Sequence, residues 1–187
     1  MQAELDKFQT NIENGTIGLD FNKGFVTLAE TNKYGHLVRT QFLPYHFKAG
    51  NKTKNDLEKI ANRVKTLAAE VKKNICVENL NFETTKTKII SKIDKKYNGM
   101  LSSLAYREFM NTIESVAYRN LIYMTLVNPA WTSWLAKRIY CDPMKLNGHI
   151  GAAYVIARRG QGFEDSTKII KNFIKPNSVL ILISENL

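Results

Sequence analysis

The sequence predicts an α/β fold built on a mixed sheet, with its first three strands antiparallel, its later strands parallel and linked by helices, and helices flanking the sheet. Three observations lead there. Residues 16–44 hold three β-rich runs, TIGLDFN, FVTLAE and HLVRTQFLP, separated by the turn signals NKG and NKYG. After them, stretches of helical periodicity alternate with short apolar runs. No internal repeat, low-complexity tract or linker interrupts the 187 residues.

The elements follow in order. The three opening runs form an antiparallel meander. From Lys54 to Lys73, the residues Leu57, Ile60, Ala61, Val64, Leu67, Ala68 and Val71 recur at helical spacing with charges between them, which predicts an amphipathic helix. The next run, NICVENL, reads as a fourth strand. The lysine-rich TTKTKIISKIDKKYNG is expected to be an exposed connector ahead of a long helix from Met100 to about Tyr118. Leu121 to Val127, LIYMTLV, has the unbroken apolarity of a strand buried on both faces, and Asn128-Pro129 ends it. A short helix is expected at Thr132 to Ile139 and another at His149 to Arg159, stopped by Gly160-Gln161-Gly162. The resulting order, β-β-β-α-β-α-β-α, is that of an RNase H-like domain. The chain reads as one domain over 1–187, with an N-terminal extension at 1–14 and a C-terminal tail at 163–187, expected to hold one short helix and one strand.

Composition narrows the partners. Lys and Arg number 27 against 17 Asp and Glu, a net charge of +10, which favours a polyanion; solubility alone is the competing explanation for the lysines. Cys76 and Cys141 are the two cysteines, too few for a disulfide framework or a paired-cysteine zinc motif. The longest apolar run near the end, Val179 to Ile183, is far shorter than the roughly 18–20 residues of a membrane helix, and the acidic beginning is unlike a signal peptide. A cytoplasmic protein without a membrane partner is expected.

Two carboxylates stand out. Asp20 interrupts the apolar strand Ile17-Gly18-Leu19-Asp20-Phe21, and Glu78 follows Ile75-Cys76-Val77. A charge in such a run is costly unless it is paired or bound to a cation. Adjacent first and fourth strands would aim both acids into one cleft. Two-metal phosphodiester cleavage uses acidic oxygens in this way, holding divalent ions about 3.5–4 Å apart. The competing explanation is that each acid caps a strand end and faces solvent.

The segments GLDFNKGFVTL, ICVENLNF, LVNPAWTSWLAKRIY and HIGAAYVIARRG together resemble the RuvC-like nuclease domain of TnpB proteins, the transposon-encoded RNA-guided endonucleases related to type V CRISPR effectors. The resemblance implies DNA cleavage by a three-acid, two-metal site using Mg²⁺ or Mn²⁺, with Asp20 and Glu78 as the first two acids. The third acid of that pattern precedes paired alanines, where this chain has His149 in H-I-G-A-A. A neutral imidazole suits Mn²⁺ better than Mg²⁺, so His149 could be an auxiliary ligand, a general base on water, or the mark of a site that no longer cleaves. A half-buried histidine with one backbone hydrogen bond is the plainer alternative. Asp142, in a turn before Pro143, and Glu164 and Asp165, after the helix, are the nearest acids that could substitute.

Two further departures matter. The zinc ribbon that many TnpB proteins carry is missing, so no structural zinc is expected. The chain also begins almost at the first catalytic strand, without the N-terminal RNA- and DNA-binding portion of that family, so the resemblance leaves a fragment, one half of a split effector whose partner chain supplies that portion, or a reduced relative, with DNA and a guide RNA as the implied partners.

For nucleic-acid contacts, Lys86, Lys88, Lys92, Lys95 and Lys96 with Tyr97 nearby form the candidate track, against solvated loop lysines. Arg158 and Arg159 are further candidates, although complementing the dipole at a helix C-terminus explains them without nucleic acid. Thr132 and Ser133 could hydrogen-bond a phosphate, but are expected to cap the helix Trp134 to Ile139, and Trp131 and Trp134 are expected to lie in the core rather than to serve as stacking platforms.

Overall fold

A computed structural model of the chain describes residues 7–48, 50–80 and 93–165, with side chains of the last segment described from 103 onward. Five strands form one sheet: β1 (Thr16–Asn22), β2 (Phe25–Thr31), β3 (Leu37–Pro44), β4 (Asn74–Glu78) and β5 (Met124–Val127). Their spatial order is β3-β2-β1-β4-β5. β1 pairs antiparallel with β2, from Ile17 opposite Glu30 to Asn22 opposite Phe25, and parallel with β4, from Thr16 opposite Asn74 to Leu19 opposite Val77. β2 pairs antiparallel with β3 and β4 pairs parallel with β5. The fold class expected from the sequence is the one observed.

Alternation along β1 divides its side chains between two layers. Ile17 and Leu19 join Val26, Leu28, Ile75 and Val77 under helices α1 (Asn51–Val71) and α2 (Ile93–Arg119), which supply Leu57, Val64, Phe109 and Ile113 to the main core. Gly18 faces the other layer, where helix α5 (Gly148–Gly160) lies on the sheet. A Cβ on Gly18 would stand 2.2 Å from the Ala153 carbonyl oxygen and 2.4 Å from the Ala157 nitrogen, so backbone meets backbone there. At the far end of α5, a Cβ on Gly160 would overlap the Cys76 sulfur on β4. Glycine and alanine let α5 ride close to β1 and β4, and this closeness brings its first turn to the ends of those strands.

Several boundaries differ from the expectation, each for a local reason. The connector is shorter than expected, because α2 begins at Ile93 and includes Ile93 to Gly99. Leu121 to Tyr123 are not strand. Leu121 is left-handed (φ 53°) and the Ile122 amide donates to the Ala117 carbonyl, which closes α2 with a Schellman-type cap before β5 starts at Met124. β5 is an edge strand and is not buried on both faces, since Leu126 is exposed and Met124 and Thr125 are half-buried.

The expected helix at Thr132 to Ile139 is a composite: α3 (Thr132–Leu135), a π-helical segment (Ala136–Cys141) and α4 (Asp142–Met144). Asp142 therefore opens a helical turn instead of a loop. Trp131 and Trp134 are exposed, contrary to the core assignment, because α3 packs through Thr132 and Leu135. Trp131 holds the N-cap position of α3 and no side chain caps it, so the capping role expected of Thr132 or Ser133 is also corrected.

Before β1, the Gln9 amide donates to the Leu121 carbonyl, and Thr10 Oγ1 accepts from the Tyr123 amide. The helix and strand expected in the C-terminal tail from residue 166, and Lys86, Lys88 and Lys92, lie outside the described residues. No helix among the described residues is long and apolar enough to cross a membrane.

Candidate metal centre

Two neighbouring parallel strands bring the acids together. Gly18 and Cys76 face α5, so Asp20 and Glu78, each two residues further on, face it as well. The last parallel pair, Leu19 with Val77, stands one residue before both acids. Side chains in this register are a strand spacing apart, about 4.8 Å. They share the C-terminal edge of the β1–β4 pair, where open α/β sheets place their ligands.

Asp20 is held on both sides. Its Oδ2 accepts a 2.7 Å hydrogen bond from Asn22 Nδ2 and lies 3.5 Å from His149 Nδ1. The side chain is only 13% exposed, and burial raises its pKa above the ordinary carboxylate value, with Asn22 and His149 pulling the other way. His149 enters from the first turn of α5, whose N-cap Asn147 accepts from the His149 amide through Oδ1 at 2.9 Å. The imidazole stands edge-on to Phe25, 4.9 Å between ring centres, and is 47% exposed. The alternative of a histidine occupied by a backbone hydrogen bond is not what is seen: its ring faces a carboxylate.

Glu78 has a separate set of neighbours. Burial raises its pKa, a hydrogen bond with the Thr132 side chain lowers it, the Asp20 charge raises it again and the Arg159 charge lowers it. Arg159 reaches this edge from the last turn of α5. Its Nη1 donates to Thr132 Oγ1 at 2.9 Å and its Nη2 to the Ala130 carbonyl at 2.7 Å, tying α5 to the loop after β5. Behind the site, the Tyr106 hydroxyl donates to the Glu78 carbonyl at 2.6 Å.

Asn22 and Tyr106 have no part in the site from sequence, and Thr132 only that of a phosphate contact or helix cap. Asn22 alone had a readable signal, since it lies two residues beyond Asp20 on the same strand face.

The other candidates lie apart from these acids or have other partners. Arg158 donates through Nε to Asp165 at 3.3 Å and through Nη1 to the Gly35 carbonyl at 3.0 Å, and lies over the rings of Tyr140, Tyr154 and Phe163. Asp165 also accepts from the Tyr140 hydroxyl at 2.7 Å, so it is occupied away from Asp20 and Glu78. Asp142 and Glu164 are exposed. Lys95 and Lys96 fall on the first turn of α2. Two concave surfaces, lined by residues such as Phe47 and Glu108 or Asn62 and Arg119, lie along α1 and α2 on the opposite face of the sheet.

Among the described residues no group of three His, Cys, Asp or Glu side chains is arranged to hold a metal ion. The donor set at the strand ends is therefore two half-buried carboxylates that repel one another, with a histidine against one of them. Two carboxylates fit a hard divalent cation whose remaining positions are filled by water and substrate phosphate, the usual manner of Mg²⁺ binding.

Neither a protein-family model nor a curated protein sequence matches the chain. Solved structures do. A Thermus thermophilus RuvC structure matches with a TM-score of 0.52 at 11% identity, covering 79% of this chain and 96% of that one. T. thermophilus RuvC in complex with a Holliday junction substrate matches with a TM-score of 0.50 at 11% identity, covering 76% of this chain and 88% of that one. At such identity the likeness concerns the fold, and with the observed sheet order it establishes an RNase H-like α/β architecture shared with RuvC.

Proposed function

We propose that the chain is a divalent-metal-dependent DNA endonuclease domain in which Asp20 and Glu78 are the metal ligands. The observation that carries this reading is the pair of half-buried acids side by side at the C-terminal edge of β1 and β4, both with raised pKa. Two adjacent carboxylates that repel one another and lose hydration are an arrangement that a cation stabilises.

In this reading the carboxylates of Asp20 and Glu78 would hold Mg²⁺ or Mn²⁺, which would supply Lewis-acid stabilisation of charge developing on a phosphodiester. Asn22 fixes the Asp20 carboxylate through Oδ2, and Thr132, itself held by Arg159, lies beside Glu78. His149, half exposed beside Asp20, acts as auxiliary ligand or as general base accepting a proton from the attacking water at a ring nitrogen. The resemblance of the four quoted segments to TnpB proteins supports a guide RNA or a second chain as the source of target recognition. The positive charge of the chain agrees with nucleic acid as the partner, with Lys86, Lys88, Lys92, Lys95, Lys96 and Arg159 as candidate phosphate contacts.

A second reading rests on His149 standing where a third acid is expected: a nucleic-acid-binding relative that no longer cleaves. A nuclease assay on single- and double-stranded DNA with Mg²⁺ or Mn²⁺ separates the two. The first reading expects cleavage that is lost in Asp20→Ala and falls about 10²–10⁴-fold in His149→Ala if the imidazole is the base. Undiminished cleavage by Asp20→Ala defeats the proposed site. Absence of cleavage by the parent, with salt-sensitive DNA binding retained, selects the second reading.

A further inference from the structure

Beside the two acids, the chain displays both of its tryptophans to solvent. Trp131 is 68% exposed and Trp134 39% exposed, while Thr132 and Leu135, on the same short helix, are buried. The helix thus packs without them. The indoles meet edge to face, 6.2 Å between ring centres at 70°, which leaves most of Trp131 in water. Trp131 also occupies the left-handed region (φ 65°, ψ 9°), an unfavourable backbone state for a bulky residue, so the aromatic is held outward against a local conformational cost.

One cation stands against the pair, and the helical stretch that carries it is basic. The Arg138 guanidinium lies 5.8 Å from the Trp134 ring centre, and Lys137 and Lys145 are exposed in the same helical stretch, with Asp142 as its one acid. The patch is continuous with the candidate metal centre through one residue. Thr132, which follows Trp131, donates to the Pro129 carbonyl at 3.2 Å, accepts from Arg159, and lies near enough to Glu78 to lower its pKa.

We infer that Trp131 and Trp134, with Arg138, form a stacking platform for unpaired bases of a nucleic-acid strand whose backbone passes the Asp20–Glu78 edge. Aromatic faces flanked by cations suit single strands, because every base has a π-face and every nucleotide a phosphate. A duplex hides its base faces and suits the patch poorly. The inference deepens the nuclease reading by naming single-stranded nucleic acid as the occupant next to the acids.

The chain's two tryptophans are both in the platform, so intrinsic fluorescence reports on it directly. A 12-nucleotide oligothymidylate titrated into the full chain in EDTA should quench tryptophan emission, and a blunt duplex of the same length should quench far less. Trp131→Ala should weaken binding of the fluorescein-labelled oligonucleotide, measured by anisotropy, about tenfold, and Trp131→Phe should restore most of it. Circular dichroism checks that each variant folds, as the exposure of Trp131 leads one to expect.

Binding without quenching, equal affinity in Trp131→Ala, or no binding at all overturns the platform. So does a concentration-dependent dimer in sedimentation that Trp131→Ala dissociates, because the patch would then be covered by a second copy. Quenching by the oligonucleotide with no cleavage under Mg²⁺ or Mn²⁺ upholds the platform and rejects the nuclease reading, whereas cleavage without quenching does the reverse.

Discussion

At Asp20 a single carboxylate, mostly withdrawn from water, weakens the fold. Its folded pKa lies above the ordinary 3.8, chiefly because burial disfavours the charge. The sign of the linkage follows. The stabilising contribution of the protonated carboxyl is complete below pH 3.8 and is lost as pH rises through the raised folded value, so near neutrality the ionised Asp20 opposes folding. Asp20→Asn should therefore raise the melting temperature in EDTA at pH 7, by roughly 2–4 °C for each ~1 kcal/mol recovered, and the gain should shrink towards zero below pH 3.8. Adding Mn²⁺ should stabilise the parent and leave Asp20→Asn unchanged. A variant less stable than the parent at pH 7 would mean that hydrogen bonding by Asn22 and His149 outweighs burial.

The residues also show what the sequence reveals. Asp20 and Glu78 were visible because a charge after an apolar strand is costly in any fold. Thr132 was not, because a hydroxyl before a helix is usually a cap, and only its contact with Glu78 and Arg159 distinguishes it. The tryptophans were misassigned to the core because side-chain hydrophobicity carries no information about which side of α3 packs.

Among the elements, α5 does most to define the site. It covers β1 and β4, carries His149 in its first turn and Arg159 in its last, and lies so close that Gly18 has no room for a methyl group. Gly18→Ala sets a Cβ against helix backbone, which cannot move aside as a side-chain tip can. Destabilisation by about 3 kcal/mol is expected, read as a fall in denaturant midpoint at unchanged slope. Gly148→Ala, with nothing within 4 Å of the added carbon, is the control and should be close to neutral. Equal effects would mean that α5 does not seat on β1 as described.

Helical periodicity located α1, which has one apolar face, and the meander was read from β-rich runs set between turn signals. Local sequence failed where chain geometry took over. The apolar Leu121 to Tyr123 serve the helix cap and the crossing into β5, and the lysine-rich Ile93 to Gly99 extend α2 without a strong apolar stripe.

At the scale of the molecule, a three-layered scaffold, with helices on both faces of the sheet, sets the large core apart from the candidate site. One face of the sheet buries the large aliphatic and aromatic core under α1 and α2, and the other accepts small residues from α5 and keeps two acids at its edge. The shared RuvC architecture was legible as an order of elements, whereas the pairing of His149 with Asp20 required the packing of α5.

Asp20 and Glu78, as proposed, together hold a divalent cation. Mn²⁺ binding followed by loss of the free-ion paramagnetic resonance signal tests it without depending on cleavage. The parent chain should remove Mn²⁺ from solution, and Asp20→Asn combined with Glu78→Gln should leave the free-ion signal intact. Equal Mn²⁺ uptake by the parent and the double variant would contradict the account.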